Sequence, residues 1–320
     1  MNLATFINPI LNIFRNHKLK ILGLFLSFIF FMYLLFPFND LGDFVATKIA
    51  QVTQSQVIVD FDSLTFSFFP QPGLSLTNVS VETPFTPSLT AKYLEVAPSI
   101  MGLLALKPGV TVRAEDLLGG DLTLSTRGGD KISGSKMKQK VSLDLSRLNL
   151  GNISKVANLP MKVEGFISGS VDSQVDPDLG EQPTADMTGR FEKVVFPEGT
   201  LLTPAGPLPV PTININDVSF EGHLDKGTLD VTKLVLGRPG GDLYVNLNGK
   251  VDVKVVKGGL VPVIVGGYEF NVHVQLGDVL KKSFGLYLPL LAAYQAAGNT
   301  YAFSMTGTGT NSPPSLGRIQ

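Results

Sequence analysis

The sequence predicts a mainly β protein, in which an N-terminal transmembrane helix precedes a largely antiparallel sheet of two related β-rich units with short capping helices. Three observations carry this prediction. An uncharged apolar run lies near the N-terminus, the hydrophobic period changes from helical to two beyond residue 56, and blocks of sequence return in the same order further along the chain.

The apolar run is Ile21 to Phe36, ILGLFLSFIFFMYLLF, without a charged residue. With its flanks, segment 21–38 offers about 20 residues, or roughly 30 Å of helix, which matches a bilayer core. A cleaved signal peptide would share the basic start. However, the run is long for one, and Phe36-Pro37-Phe38-Asn39-Asp40 lacks the small residues of a cleavage site. Arg15, Lys18 and Lys20 precede the run, whereas Asp40 and Asp43 follow it. These basic residues are the topology determinants: the positive-inside bias leaves residues 1–20 as a cytoplasmic segment and the rest of the chain across the membrane.

Residues 39–55 carry Leu41, Phe44, Val45, Ile49 and Val52 at helical spacing, with acids in the first turn, and predict a short amphipathic helix. From Val57 the pattern turns to alternation in short runs such as LTFSF, DLTLS, TLDVTKLVL and EFNVHVQL, bounded by Gly, Pro, Asn or Asp. One apolar face and one Ser/Thr/Asn/Asp/Lys face per run predict antiparallel strands solvated on one side. In FSFFPQPGLSLTNVSVETP, starting at Phe66, the Pro-Gln-Pro-Gly break predicts a reversal. The apolar parity of the strand after it changes across Thr77-Asn78, which predicts a bend there.

Asn78-Val79-Ser80-Val81-Glu82 returns as Asp217-Val218-Ser219-Phe220-Glu221, and SLTAKYLEV from Ser88 returns as TLDVTKLVL from Thr228. Gly119-Gly120-Asp121-Leu122 returns as Gly240-Gly241-Asp242-Leu243 at a shorter offset, and SLDLSRLNLGN returns in pattern as NVHVQLGD. The segment PSIMGLLALKPG, from Pro98 to Gly109, accounts for the change in offset. The expected organisation is a first unit over 56–175, a Pro-rich connection over 176–212, and a second unit over 213–320. Within the second unit two short helices at about 277–298 are separated by Gly285 and Pro289.

The span from VIVDFDSLTFSFFPQPGLSLTNVSVETP through SLTAKYLEVAPSIMGLLALKPGVTVRAEDLLGGDLTL resembles the start of AsmA-like envelope proteins. The whole chain, with LDLSRLNLGNISKVANLPMKVEGFISGSV and YAFSMTGTGTNSPPSLGRI, is similar to the related type II secretion system protein N family. That resemblance implies a single-pass bacterial inner-membrane protein with a cytoplasmic N-terminus and a periplasmic, curved, groove-like sheet. Its implied partners are secretion-system proteins of the inner membrane or periplasm. The AsmA-like side implies membrane lipid, held by its acyl chains in an apolar groove.

Composition and motifs point the same way. A net charge of −1 and the absence of a lysine-rich face exclude the basic field that nucleic-acid binding requires, and zero Cys removes thiolate metal sites and thiol nucleophiles. No phosphate loop, GxSxG elbow or HExxH occurs, and GTGT at Gly307 lacks the third glycine of a dinucleotide fingerprint, so no enzyme and no cofactor is expected. His17 belongs to the basic flank, and His223 and His273 lie on separate strands and would need a carboxylate to share a metal. Asp60 and Asp62 share one face of a strand and could serve as a Ca²⁺ or acid–base pair, although a solvated face is the simpler account. Lys136, Lys138 and Lys140 read as lysine protection of a strand, with anionic headgroups as the other option.

Overall fold

The computed structural model describes residues 38–53, 56–67, 72–84, 86–99, 107–131, 137–157, 162–203, 206–256, 263–285, 288–296, 300–309 and 313–319. A few single positions before residue 32 and between 102 and 105 are also described. The span expected at 21–38, with Arg15 and Lys18 ahead of it, lies largely outside these residues. Lys20, Gly23, Leu24, Ser27, Phe28 and Phe31 are helical where described, and among the described residues no helix is long and apolar enough to cross a membrane.

A helix over Phe38–Val52, α1, opens the folded part. Seventeen strands come after it among the described residues: β1 (Ile58–Asp60), β2 (Ser63–Ser67), β3 (Gly73–Thr83), β4 (Thr86–Pro98), β5 (Val110–Leu117), β6 (Gly120–Lys131), β7 (Met137–Asn149), β8 (Glu164–Val175), β9 (Thr184–Phe196), β10 (Gly199–Thr203), β11 (Gly206–Val210), β12 (Ile213–Asp225), β13 (Thr228–Leu236), β14 (Leu243–Val255), β15 (Val263–Leu276), β16 (Thr300–Gly307) and β17 (Ser315–Gly317). Helix α2 (Leu150–Val156) lies between β7 and β8. Helices α3 (Asp278–Ser283) and α4 (Leu288–Leu291) lie between β15 and β16. All strands but β10 and β11 form one curved antiparallel sheet in which neighbours follow chain order; β1 and β2 both pair with β3. Antiparallel pairing of this kind needs no crossover connection between the described strands.

The stretch expected as a Pro-rich connection differs from that expectation. Its residues 184–196 are β9, hydrogen-bonded to β8 on one side and β12 on the other; Pro183, Pro197 and Pro211 lie just outside the strands, and Pro207 and Pro209 lie in the side hairpin β10–β11. Proline lacks the N–H that a central strand must donate, and the strand that the large sheet takes from this stretch, Thr184–Phe196, is Pro-free.

The repeat also resolves differently along its length. Between its matched blocks the first unit inserts PSIMGLLALKPG and, in addition, the whole strand β5, whereas β13 turns directly through Gly240-Gly241 into β14. The extra strand reverses direction, so β3 and β12, which carry NVSVE and DVSFE, run oppositely in the sheet, while β6, β7 and β8 run with β14, β15 and β16. In those later blocks a Gly-Gly turn is capped by the segment that starts a helix. Asn149 N–H donates to Leu118 O (3.0 Å), and Gly277 N–H donates to Asp242 O (2.8 Å).

The bend expected at Thr77-Asn78 lies at Asn78, which has φ +48 and donates from Nδ2 to Asp62 Oδ2 at 2.6 Å. Across it Leu76 and Val79, three residues apart, are both buried with Leu64 in a small core that Leu41 of α1 joins. A larger core runs from α2 through β9 and β12 to β16, with Ile215 and Leu280 at its centre.

Candidate functional site

Strand alternation places every second side chain on one face, and the register aligns those residues from strand to strand. Leu74, Val96, Val112, Leu124, Leu143, Val171 and Met187 are successive cross-strand neighbours from β3 to β9. Gly222, Val231, Gly249, Phe270, Met305 and Leu316 continue the row from β12 to β17. Phe66 of β2 starts it opposite Leu74. A second row, one pleat away, runs through Leu76, Leu94, Ala114, Leu122, Leu145 and Gly169 to Gly189, then Phe220, Leu234, Leu247, Val272 and Phe303. Neither row contains a polar side chain. At a strand spacing near 4.8 Å the longer row extends about 60 Å, several times the hydrocarbon depth of one leaflet.

The two ends of these rows are packed. Leu74, Leu76 and Leu94 belong to the small core, and Leu234, Leu247, Phe270 and Val272 belong to the large one, where Leu280, Phe284, Leu288, Leu291 and Tyr294 of the α3–α4 segment join them. Between the ends, Val96, Val112, Leu122, Leu124, Leu143, Leu145, Val171 and Met187 are half-buried and belong to neither core. No second sheet lies on this stretch among the described residues; the other sheet is the two-stranded β10–β11. A run of aliphatic side chains left partly in water is the kind of surface that marks a ligand or partner site.

The opposite face is polar over the same strands. Thr111, Ser125, Ser142, Asp172, Asp186, His223, Asp230, Lys250 and Glu269 are its cross-strand neighbours along one row. These groups satisfy one another: Ser142 Oγ donates to Asp172 at 2.5 Å, and His223 Nδ1 lies 2.6 Å from Asp186 Oδ1. Nearer the N-terminus, Arg113 sits 3.6 Å from the buried Glu95, and Tyr93 O–H donates to Ser75 Oγ at 2.7 Å.

The sequence-singled residues are spread apart. Lys20 is helical and exposed. Asp60 ends β1 and caps the N–H of Phe61, whereas Asp62 falls in the break before β2 and binds Asn78, so they are not a pair on one strand. His223 on β12 and His273 on β15 are three strand steps apart, and among the described residues no group of His, Asp and Glu could hold a metal. Lys138 pairs with Glu181 at 2.7 Å, and Lys140 stands opposite Arg127 on the polar face; Lys136 lies outside the described residues. Alternation signalled an apolar face in each strand, but the continuity of the rows depends on register, which no single run reveals.

No family model, curated protein or solved structure matches the chain.

Proposed function

We propose that the chain is a non-enzymatic, membrane-anchored bacterial envelope protein whose sheet holds lipid acyl chains along its apolar face, with the main domain in the periplasm. The observation that carries this reading is the pair of unbroken apolar rows whose middle third, among the described residues, is half-buried and joins neither core. Acyl chains need apolar contact without directional hydrogen bonds, and a pleated row of Leu and Val supplies that and nothing else. Leu24, Phe28 and Phe31, exposed at 74, 62 and 54% along one helical stripe, suit a segment whose surroundings are lipid.

A photocrosslinking residue placed at Leu124, in the middle of the row, is expected to capture phospholipid in cells. The same residue at Ser125, adjacent in the chain and on the polar face, is expected to capture none. Equal capture at both positions, or none at Leu124, overturns the reading.

A second reading, a subunit or accessory of the type II secretion machinery acting through protein contacts, draws support from β15. Its residues Val263, Ile264 and Val265 are 41, 54 and 40% exposed and pair with β14 alone among the described residues, an open apolar edge that a partner's strand could extend. Crosslinking from Ile264 to another protein, with no lipid captured at Leu124, would favour it.

A further inference from the structure

Between α2 and the facing ends of β8 and β9 the chain leaves a cleft of about 740 Å³, the size of a small-molecule site. One wall is α2, which is fixed twice at its start. Asn149 Oδ1 accepts the Asn152 N–H at 3.2 Å, and Asn152 Nδ2 donates to Leu118 O, in the turn between β5 and β6, at 3.2 Å. The other wall is an irregularity shared by β8 and β9. Glu164 stands opposite Val195 and Phe166 opposite Glu192, so β9 carries one extra residue there. Gly165 at this point has φ +125, and a Cβ on it would lie 2.8 Å from both Glu192 O and Lys193 O. Lys193 opposite adopts φ +52, a conformation that costs an L residue energy and that takes it out of the alternation of its strand.

Two features of the lining point to a ligand. Ser154 of α2 is 8% exposed, yet its hydroxyl makes no hydrogen bond among the described residues and is not sealed from the cleft it lines. A hydroxyl this buried ordinarily has a partner. Around the cleft stand Lys155 of α2, Lys162 ahead of β8 and Lys193 of β9, none of them in an ion pair among the described residues. Glu164 is the single carboxylate of the described lining and also forms no ion pair, so three ammonium groups against one carboxylate leave two positive charges there. Val163, Val195 and the Phe166 ring supply apolar wall, and the Arg147 guanidinium, 4.8 Å from the centre of that ring, stacks on it.

We propose that this cleft binds a phosphate ester with an apolar group attached: the phosphate lies among the three lysines and accepts from the Ser154 hydroxyl, and the apolar group lies against Val163, Val195 and Phe166. Lysine is a compact point charge with rotatable donors, which suits a tetrahedral oxyanion, whereas a planar carboxylate is better matched by the fork of an arginine. A phosphate monoester carries about −1.5 to −2 charges near neutral pH, close to the two positive charges left over at the cleft. Soluble phosphate esters and phosphatidate headgroups share this chemistry. The site goes beyond the acyl-chain rows and does not rest on them.

Isothermal titration calorimetry on the full chain in a non-ionic detergent, with hexyl phosphate and with dihexanoyl phosphatidic acid, tests the site. Saturable binding of at least one is expected, and the tighter of the two tells a soluble ester from a lipid headgroup. Lys155→Gln combined with Lys193→Gln is expected to weaken that binding about tenfold or more, and Ser154→Ala about threefold. Lys233→Gln, at an exposed lysine of β13, is expected to leave it unchanged. No saturable binding of either probe, or equal affinity in the double variant and the parent, overturns the proposal. Competition by hexanol as strong as by hexyl phosphate overturns it too, since the phosphate would then contribute nothing. None of these results bears on capture at Leu124, so this site and the acyl-chain reading fail separately.

Discussion

The strands β4 to β8 and the strands β12 to β16 present the same apolar face in the same register, yet the second group is packed and the first is half open. The difference comes from the segment after the fourth strand of each group. Beyond β15 the chain forms α3, α4 and a short 3₁₀ turn at Ala292–Tyr294, a segment that sets Leu280, Phe284, Leu288 and Leu291 into the large core. Beyond β7 it spends seven residues on α2, which touches β4, β7 and β8 and whose Leu150 and Ile153 join that same core, while Leu122, Leu124, Leu143 and Leu145 stay half-buried and belong to neither core. Equal patterning therefore has two outcomes among the described residues: a packed core where the α3–α4 segment joins the apolar rows, and half-buried rows where it does not.

The packed half is most severely broken at Gly249, where φ is +150 and a Cβ would lie 2.1 Å from Glu269 O. Gly249→Val, which the strand cannot accommodate without parting from β15, is expected to cost more than about 4 kcal/mol in urea unfolding. Leu280→Ala removes the most buried side chain of the covering helices, 1% exposed, and should lower stability by about 2–5 kcal/mol. Leu143→Ala, the same chemical change on the open half, should cost about 1 kcal/mol, because that side chain is only partly buried and belongs to neither core. If the two Leu→Ala variants lose equal stability, the open half is not open.

Function sharpens the contrast in the other direction. Leu143→Asp is expected to retain the circular dichroism of the parent while abolishing lipid capture at Leu124; Val272→Asp, 6% exposed and in the large core, is expected to unfold. The smallest effect belongs to the polar face, where Lys233→Ala removes an exposed 3.4 Å pair with Glu221 and should change stability by less than about 0.5 kcal/mol.

Much of this architecture was legible in the chain. Period-two alternation identified strands, the Asp40–Gln54 pattern identified α1, and the parity change at Thr77-Asn78 located the bend that Asn78 makes. The expected helix pair near 277–298 appears as α3 and α4, with Pro289 in the first turn of α4, where its missing N–H costs nothing. The repeat was legible only in part. Alternating strands look alike whichever way they run, so NVSVE and DVSFE match in sequence on strands of opposite direction, whereas the Gly-Gly turns match because both make a tight reversal that accepts a backbone N–H from the start of a helix. Asp60 and Asp62 were placed on one strand because their spacing fits a pleat, but the interruption before β2 depends on how Asn78 bends the partner strand.

The sequence by itself determined that the chain builds amphipathic antiparallel strands without disulfides, because composition and period are local properties. Only the tertiary structure decided that one apolar face is continuous from β2 to β17, and that among the described residues its last strands join the large core while its middle joins neither core. Each depends on register and on which distant segment packs where, and those are settled by competition among all the strands for burial rather than by any one of them.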